Sequence, residues 1–298
     1  VLSGFELMVD TYGDLNSDAS NAILVCHAFS GNHHAAGKHE TDTTEGWWDQ
    51  MIGPGKAIDT NKYFIVCPNN LGGCAGSTGP TSINPASKEP YGGDFPVVSV
   101  SDWVNSQKLL MEHLSINKWE IVIGGSLGGM QALEWSLSYP HLVNKAGVIA
   151  AAAKASTQNI GMNEVAREAI RKDENFHDGN YLAMRTKPKR GLKTARMLGH
   201  ITYLSEEHMN LRFGRKVQNE DTKIDGYVDF EIENYLKYKG EKFSDSFDAN
   251  SYILMTKAMD GYDPASKKNG NLTKAMEPIK AKLLIVGFET DWLFPAKR

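Results

Sequence analysis

Apolar positions in the first half of the chain fall in short unbroken runs, separated by stretches with helical spacing. Ala22-Ile23-Leu24-Val25-Cys26 and Tyr63-Phe64-Ile65-Val66-Cys67 are continuous rather than alternating, the pattern of strands covered on both faces in a parallel sheet. Residues 101–114 bring Trp103, Val104, Leu109, Leu110 and His113 near one face and predict a helix. A strand is predicted over 120–123, a helix over 128–139 stopped by Pro140, and a further strand over 143–151. Strand and helix alternating through short connections predict an α/β fold: a mostly parallel sheet with helices on both faces.

Beyond Thr157 the rhythm changes. Residues 163–170, 192–204, 231–238 and 249–259 have helical spacing, and no convincing strand separates them. The sheet pattern resumes at Lys282-Leu283-Leu284-Ile285-Val286. The predicted organisation is a core formed by 1–156 and 268–298, interrupted by an inserted helical lid over 157–267. Neither internal repeats nor low-complexity tracts are present.

Composition narrows the function classes. A chain of 298 residues with 41% hydrophobic side chains can bury a sizeable core. The net charge of -4, from 32 basic and 36 acidic residues, supplies no strong field. Nucleic acid and anionic membrane are therefore not expected as partners. No apolar run approaches the ~18–20 residues of a membrane span, and no signal-peptide pattern opens the sequence. A start at Val1 rather than Met suggests that residues precede it. Cys26, Cys67 and Cys74 are an odd set without a CxxC pair, which favours buried reduced thiols and a cytoplasmic setting over disulfides or zinc.

The chemistry centres on Gly124-Gly125-Ser126-Leu127-Gly128, a G-x-S-x-G match lying between a predicted strand and a predicted helix. That context predicts a nucleophile elbow, a tight turn that lifts the serine hydroxyl above the sheet edge; a glycine-rich turn with an idle serine is the plainer alternative. Glycines are needed where a side chain would strike the neighbouring backbone. A serine nucleophile needs a base and a carboxylate to orient that base, in the chain order Ser, Asp or Glu, His. Asp291, just past the 282–286 strand, stands where the acid belongs; a turn aspartate capping the next segment is the plainer alternative. All nine histidines precede Asp291, and only seven residues follow it. The triad histidine is thus absent from 1–298 and expected downstream, so this stretch alone is expected to be inactive.

Acyl transfer also needs donors aimed at the developing oxyanion. One is the Leu127 N–H; the other comes from the loop His27-Ala28-Phe29-Ser30-Gly31, where His27 reads as a loop-orienting residue. His33, His34 and His39 lie in a polar loop without a matching carboxylate or cysteine set, so no metal is expected. Gly72-Gly73-Cys74-Ala75-Gly76-Ser77-Thr78-Gly79 lacks the G-K-[ST] ending of a phosphate loop and is followed by Pro80. It reads instead as a shaped loop at the carboxyl edge of the sheet. Arg185, Lys187, Lys189, Arg190, Lys193 and Arg196 form a basic cluster. Either it is a solvated helix face or it attracts an anionic substrate such as the phosphates of coenzyme A.

Several longer strings carry a resemblance. They are Cys26-His27-Ala28-Phe29-Ser30-Gly31, Gly46-Trp47-Trp48-Asp49, the 53–60 segment, Asn70-Leu71-Gly72-Gly73-Cys74-Ala75-Gly76-Ser77-Thr78-Gly79-Pro80, the elbow continued to Trp135, His200-Ile201-Thr202-Tyr203-Leu204-Ser205, Phe247-Asp248-Ala249-Asn250-Ser251-Tyr252 and Asp291-Trp292-Leu293-Phe294-Pro295. In this order they resemble the homoserine O-acetyltransferase family of α/β-hydrolase-fold enzymes, over nearly the whole length. The resemblance implies a ping-pong reaction in methionine biosynthesis. An acetyl group would pass from acetyl-CoA to Ser126 and then to the hydroxyl of L-homoserine, with no bound cofactor. It further implies Asp291 as triad acid and the Phe29 and Leu127 amides as oxyanion hole. Arg196 and Tyr203 would reach into the pocket from one face of a lid helix, with Arg196 clamping the substrate carboxylate bidentately. Family members pair as homodimers through their lids. Two departures stand out: the Gly-His-Asp segment has no counterpart here, and Phe29-Ser30 replaces the commoner Leu-Thr. Related enzymes use succinyl-CoA or take serine as acceptor, and an esterase-type hydrolase of the same fold would give the acyl group to water.

Overall fold

The computed structural model describes residues 2, 4–40, 42–218 and 229–296. The chain divides into two compact units. One comprises Val1–Gly79, Phe95–Ala155 and Leu254–Gly287; the other comprises Pro80–Asp94, Ser156–Ile253 and Phe288–Arg298.

The first unit is built on a six-stranded sheet: β1 (Val9–Tyr12), β2 (Ala22–Cys26), β5 (Phe64–Pro68), β6 (Trp119–Gly125), β7 (Val143–Ile149) and β8 (Lys282–Val286). Their spatial order is β1-β5-β2-β6-β7-β8. Only β1 runs antiparallel, against β5; the remaining neighbours are parallel. The unbroken apolar run of β2 is buried at every position, as a strand sandwiched between layers should be. β8 matches its predicted bounds but is largely exposed. A two-residue ladder, β3 (Ile52–Gly53) with β4 (Ile58–Asp59), adds Ile52 and Ile58 to a core cluster with Ile23, Val25, Ile65 and Cys67. Cys26 and Cys67 are buried thiols, and no disulfide forms among the described residues.

In this unit α2 (Leu127–Ser138) packs on β2, β6 and β7, and α1 (Val100–His113) packs against α2. A capping box starts α1: Ser99 Oγ accepts from the Asp102 N–H at 3.2 Å, and the Asp102 carboxylate accepts from the Ser99 N–H at 2.8 Å. The two helices lock through buried polar groups, Gln107 Nε2 donating to Gln131 Oε1 at 2.6 Å and Trp135 Nε1 to Gln107 Oε1 at 2.7 Å. Trp119 and Trp135, both fully buried, meet edge to face.

The second unit is helical, with α3 (Thr157–Arg171), α4 (Lys189–Tyr203), α5 (Glu206–Arg212) and α6 (Glu231–Ser246), and α4 packs against both α3 and α6. The division between the units falls within α7 (Ala249–Asp260) and leaves α8 (Leu272–Met276) in the first. The sequence reading draws the lid at 157–267; here 254–267 group with the sheet unit, and 80–94 and 288–298 with the helical one. Helical spacing says that a segment coils, not which core receives its apolar face. No helix among the described residues is long and apolar enough to cross a membrane.

Candidate active site

The strand-to-helix turn at Ser126 has the strain that an elbow requires. Ser126 adopts φ 55° and ψ -120° between β6 and α2, a left-handed conformation uncommon for a residue with a side chain. Its N–H donates to Ile149 O at 2.8 Å, and its carbonyl accepts from the Met130 N–H at 3.1 Å. These bonds grip the backbone on both sides of the turn. The hydroxyl does not cap the helix, and the Leu127 N–H stands first among the donors that a helix start leaves without intrahelical partners.

The two pattern glycines are steric necessities. A Cβ on Gly124 would lie 2.5–2.6 Å from Gly128 backbone atoms and Cys26 O, and one on Gly128 would lie 2.0 Å from Cys26 O. At Gly125 the nearest such atom is 3.9 Å away, so the intervening position is unconstrained. The Gly128 contact shows how tightly the first turn of α2 presses on the end of β2. In register, Cys26 pairs with Gly124, so the loop leaving β2 emerges beside the elbow.

That loop carries Phe29. A turn closed by Gly31 N–H on Ala28 O at 2.9 Å places Phe29 and Ser30 at its corners, with Phe29 buried. His27 fixes the loop. Its Nδ1 is 2.7 Å from Ala28 O and its Nε2 is 3.1 Å from the Asn70 N–H. A carbonyl can only accept and an amide can only donate, so the ring is neutral with its proton on Nδ1. Burial pushes the His27 pKa down to about 4. It ties the loop after β2 to the loop after β5 and has no free nitrogen with which to act as a base. Asn70 heads one of the strings that carry the resemblance but has no role assigned from sequence; both its side-chain Oδ1 and Nδ2 are buried without a hydrogen-bond partner.

The remaining expected residues lie in the second unit. Asp291 Oδ1 accepts from the N–H groups of Leu293 and Phe294 at 2.8 and 3.0 Å, a turn-capping geometry that orders the segment after β8. Arg196 and Tyr203 do share one face of α4. The guanidinium stands 5.5 Å from the Tyr203 ring centre and 4.7 Å from that of Phe243, contacts suited to holding a planar cation. The basic cluster behaves as a solvated face: Lys189 pairs with Asp245 at 2.6 Å, Lys193 with Glu241 at 2.5 Å and Arg190 with Glu174 at 3.3 Å. These exposed pairs engage three of the six basic side chains.

The expectation that His33, His34 and His39 lack a matching carboxylate does not hold. The pairing of β1 with β5 brings in Asp10, and the loop itself returns Asp42. No local sequence signal announces this, since Asp10 is 24 residues from His34 and sits on a strand too short and polar to stand out.

The chain matches the model for the alpha/beta hydrolase fold over residues 21–298. It is 58% identical to a homoserine O-succinyltransferase of Hahella chejuensis, over all of this chain and 78% of the relative. Among solved structures, homoserine O-acetyltransferase from Bacillus anthracis superposes with a TM-score of 0.90 at 32% identity, covering 98% of this chain and 80% of that one. Esterase E22 follows with a TM-score of 0.86 at 33% identity, covering 99% and 88%. The fold and the strained strand-to-helix turn are those of an α/β hydrolase. More particularly, the chain belongs to the homoserine O-acetyltransferase family of α/β-hydrolase-fold acyltransferases.

Proposed function

We propose that this protein transfers a succinyl group from succinyl-CoA to the hydroxyl of L-homoserine through an ester on Ser126. The observation that carries the donor is the 58% identity to a homoserine O-succinyltransferase across the full chain; it favours succinyl over the acetyl donor expected from sequence. In this reading Ser126 Oγ attacks the thioester carbonyl, its proton passes to the triad base, and the oxyanion draws on the Leu127 and Phe29 amides. The C–S bond breaks and CoA leaves as the thiol, taking that proton. Homoserine's hydroxyl then attacks the ester, returns its proton through the same base and frees Ser126. Asp291 acts as the acid of the triad, orienting its histidine base. Arg196 and Tyr203 hold the amino acid, the guanidinium gripping its carboxylate. Two copies pair through the helical unit, which sedimentation of the full-length protein would check.

Full-length protein mixed with succinyl-CoA and homoserine should release free CoA and form O-succinylhomoserine, and Ser126→Ala should stop both. Faster turnover with acetyl-CoA would overturn the donor assignment. A hydrolytic reading has a specific point in its favour, the likeness to esterase E22 at 33% identity. Under it, homoserine would leave the lifetime of the acyl-Ser126 ester unchanged and free succinate would be the product.

A further inference from the structure

We propose that Asp10, His34 and His39 form a binding site for a divalent transition-metal ion of the zinc type, with Asp42 as its outer carboxylate. The site belongs to the sheet unit and stands independently of the acyl-transfer reading. Asp10 Oδ2 lies 3.0 Å from His34 Nδ1 and 3.0 Å from His39 Nε2. One ligand atom from each of the three residues falls within 4.8 Å of the others. Tetrahedral zinc, with bonds of about 2.0–2.2 Å to nitrogen and carboxylate oxygen, needs ligand atoms about 3.3 Å apart. The two short edges are therefore nearly those of a loaded site.

The far side of the same rings strengthens the assignment. Asp42 Oδ2 is 3.2 Å from His34 Nε2 and 3.2 Å from His39 Nδ1. Every nitrogen of both imidazoles thus faces a carboxylate oxygen, although the His34 Nε2 contact is off line for a hydrogen bond. A neutral imidazole has only one N–H, so one nitrogen of each ring would meet a carboxylate with lone pair against lone pair. Charging both rings would place two cations with centroids 4.0 Å apart. A metal ion on the Asp10 side removes the conflict. It takes the bare His34 Nδ1 and His39 Nε2, and the opposite N–H groups turn to Asp42, the outer hydrogen bond that ligating histidines ordinarily make. His33 Nε2, 4.0 Å from Asp10 Oδ1, is within reach as a further imidazole.

The frame is already held in place. Asp10 and Tyr12 are two apart on β1 and so share a face. Tyr12 Oη donates to Asp10 Oδ2 at 3.2 Å and accepts from the N–H groups of Ala35 and Ala36 at 2.9 and 3.0 Å. His34 N–H is fixed on Asn32 Oδ1 at 2.9 Å, and Cys67 Sγ reaches Asn32 O. The His39 side chain, 51% exposed, leaves the ion a way in from solvent. A bound ion would pin the continuation of the Phe29 loop to the edge strand of the sheet.

The test is calorimetric titration of EDTA-stripped full-length protein with zinc chloride, repeated with cobalt(II) chloride to read coordination from the visible absorption. One equivalent should bind, cobalt should give the intense spectrum of a tetrahedral N/O site, and the melting temperature should rise with zinc. His39→Ala, half-exposed and safe for folding, should weaken binding at least ~100-fold, and Asp42→Asn by about 10–100-fold. Asp10→Asn should abolish the tetrahedral spectrum, with circular dichroism of the metal-free variant checking its fold. The proposal fails if zinc binds in no fixed stoichiometry, or binds His39→Ala as tightly as the parent. A rise in melting temperature that persists unchanged in both aspartate variants would also overturn it.

Discussion

His27→Gln should remove a defined part of the acid sensitivity of folding. In the native state His27 is held neutral with a pKa of about 4, against an ordinary value of 6.5. Burial is the main cause, and protonating Nε2 would also set its new N–H against the Asn70 N–H. Above pH 6.5 neither the folded nor the unfolded chain binds this proton, and the full stabilisation of the neutral ring is present. As pH falls from 6.5 to 4 the unfolded chain takes up a proton that the folded one refuses, so stability is lost through that window. A displacement of roughly 2.5 pKa units corresponds to about 3 kcal/mol, arriving with a slope of at most ~1.4 kcal/mol per pH unit. Glutamine keeps an acceptor for Asn70 but cannot titrate. It should cost about 1–3 kcal/mol at pH 7 through imperfect replacement of two buried hydrogen bonds, and then lose about 3 kcal/mol less than the parent on acidification. Urea unfolding at half-unit pH steps from 7.5 to 4 measures both. His200, also lowered to about 4 by desolvation and by Arg196, titrates in both proteins and cancels in the difference. Parallel stability curves for parent and variant between pH 6.5 and 4 would refute the assignment of a neutral, locked His27.

Gly128→Ala should be among the most damaging single-methyl changes in the chain. Its Cβ would lie 2.0 Å from Cys26 O, so the elbow and the end of β2 must part; urea unfolding should show a loss above ~3 kcal/mol, with no acyl-Ser126 trapped by mass spectrometry. Gly125→Ala, facing open space, should change stability by less than ~1 kcal/mol and serves as the control. Arg196→Lys should raise the KM for homoserine about 10–100-fold, because an ammonium cannot form the two parallel bonds of a guanidinium. Burst-phase CoA release should keep the parent rate if Arg196 serves the acceptor alone, as proposed.

Much of the sheet unit was legible because its strands carry continuous apolar runs, which burial explains for β2 and β5 but not for β8, whose run is largely exposed. The predicted bounds of β2 and β8 match the observed ones, and β6 and α2 frame Ser126 as the elbow context requires. β1 was invisible for the complementary reason: Val9-Asp10-Thr11-Tyr12 is half-exposed at the sheet edge and carries no apolar run. Missing it concealed Asp10, and with it the carboxylate that meets His34 and His39. The oxyanion loop could be located from its string of residues, but the role of His27 depends on Asn70, brought close only when β2 and β5 pair. The lid boundary was blurred because α7 is helical throughout while its two halves belong to different units. The basic cluster was read from one side only, since its acidic partners on α6 lie some fifty residues away.

The backbone of Ser126 puts selection for activity and selection for robustness at odds on a single residue. Held at φ 55° and ψ -120°, it occupies a region that glycine enters freely and serine does not, a mismatch worth on the order of 1–3 kcal/mol. Ser126→Gly should therefore fold more stably than the parent while losing acyl transfer altogether, which a paired melting and CoA-release measurement would show. A library screened for heat resistance alone would drift toward glycine here.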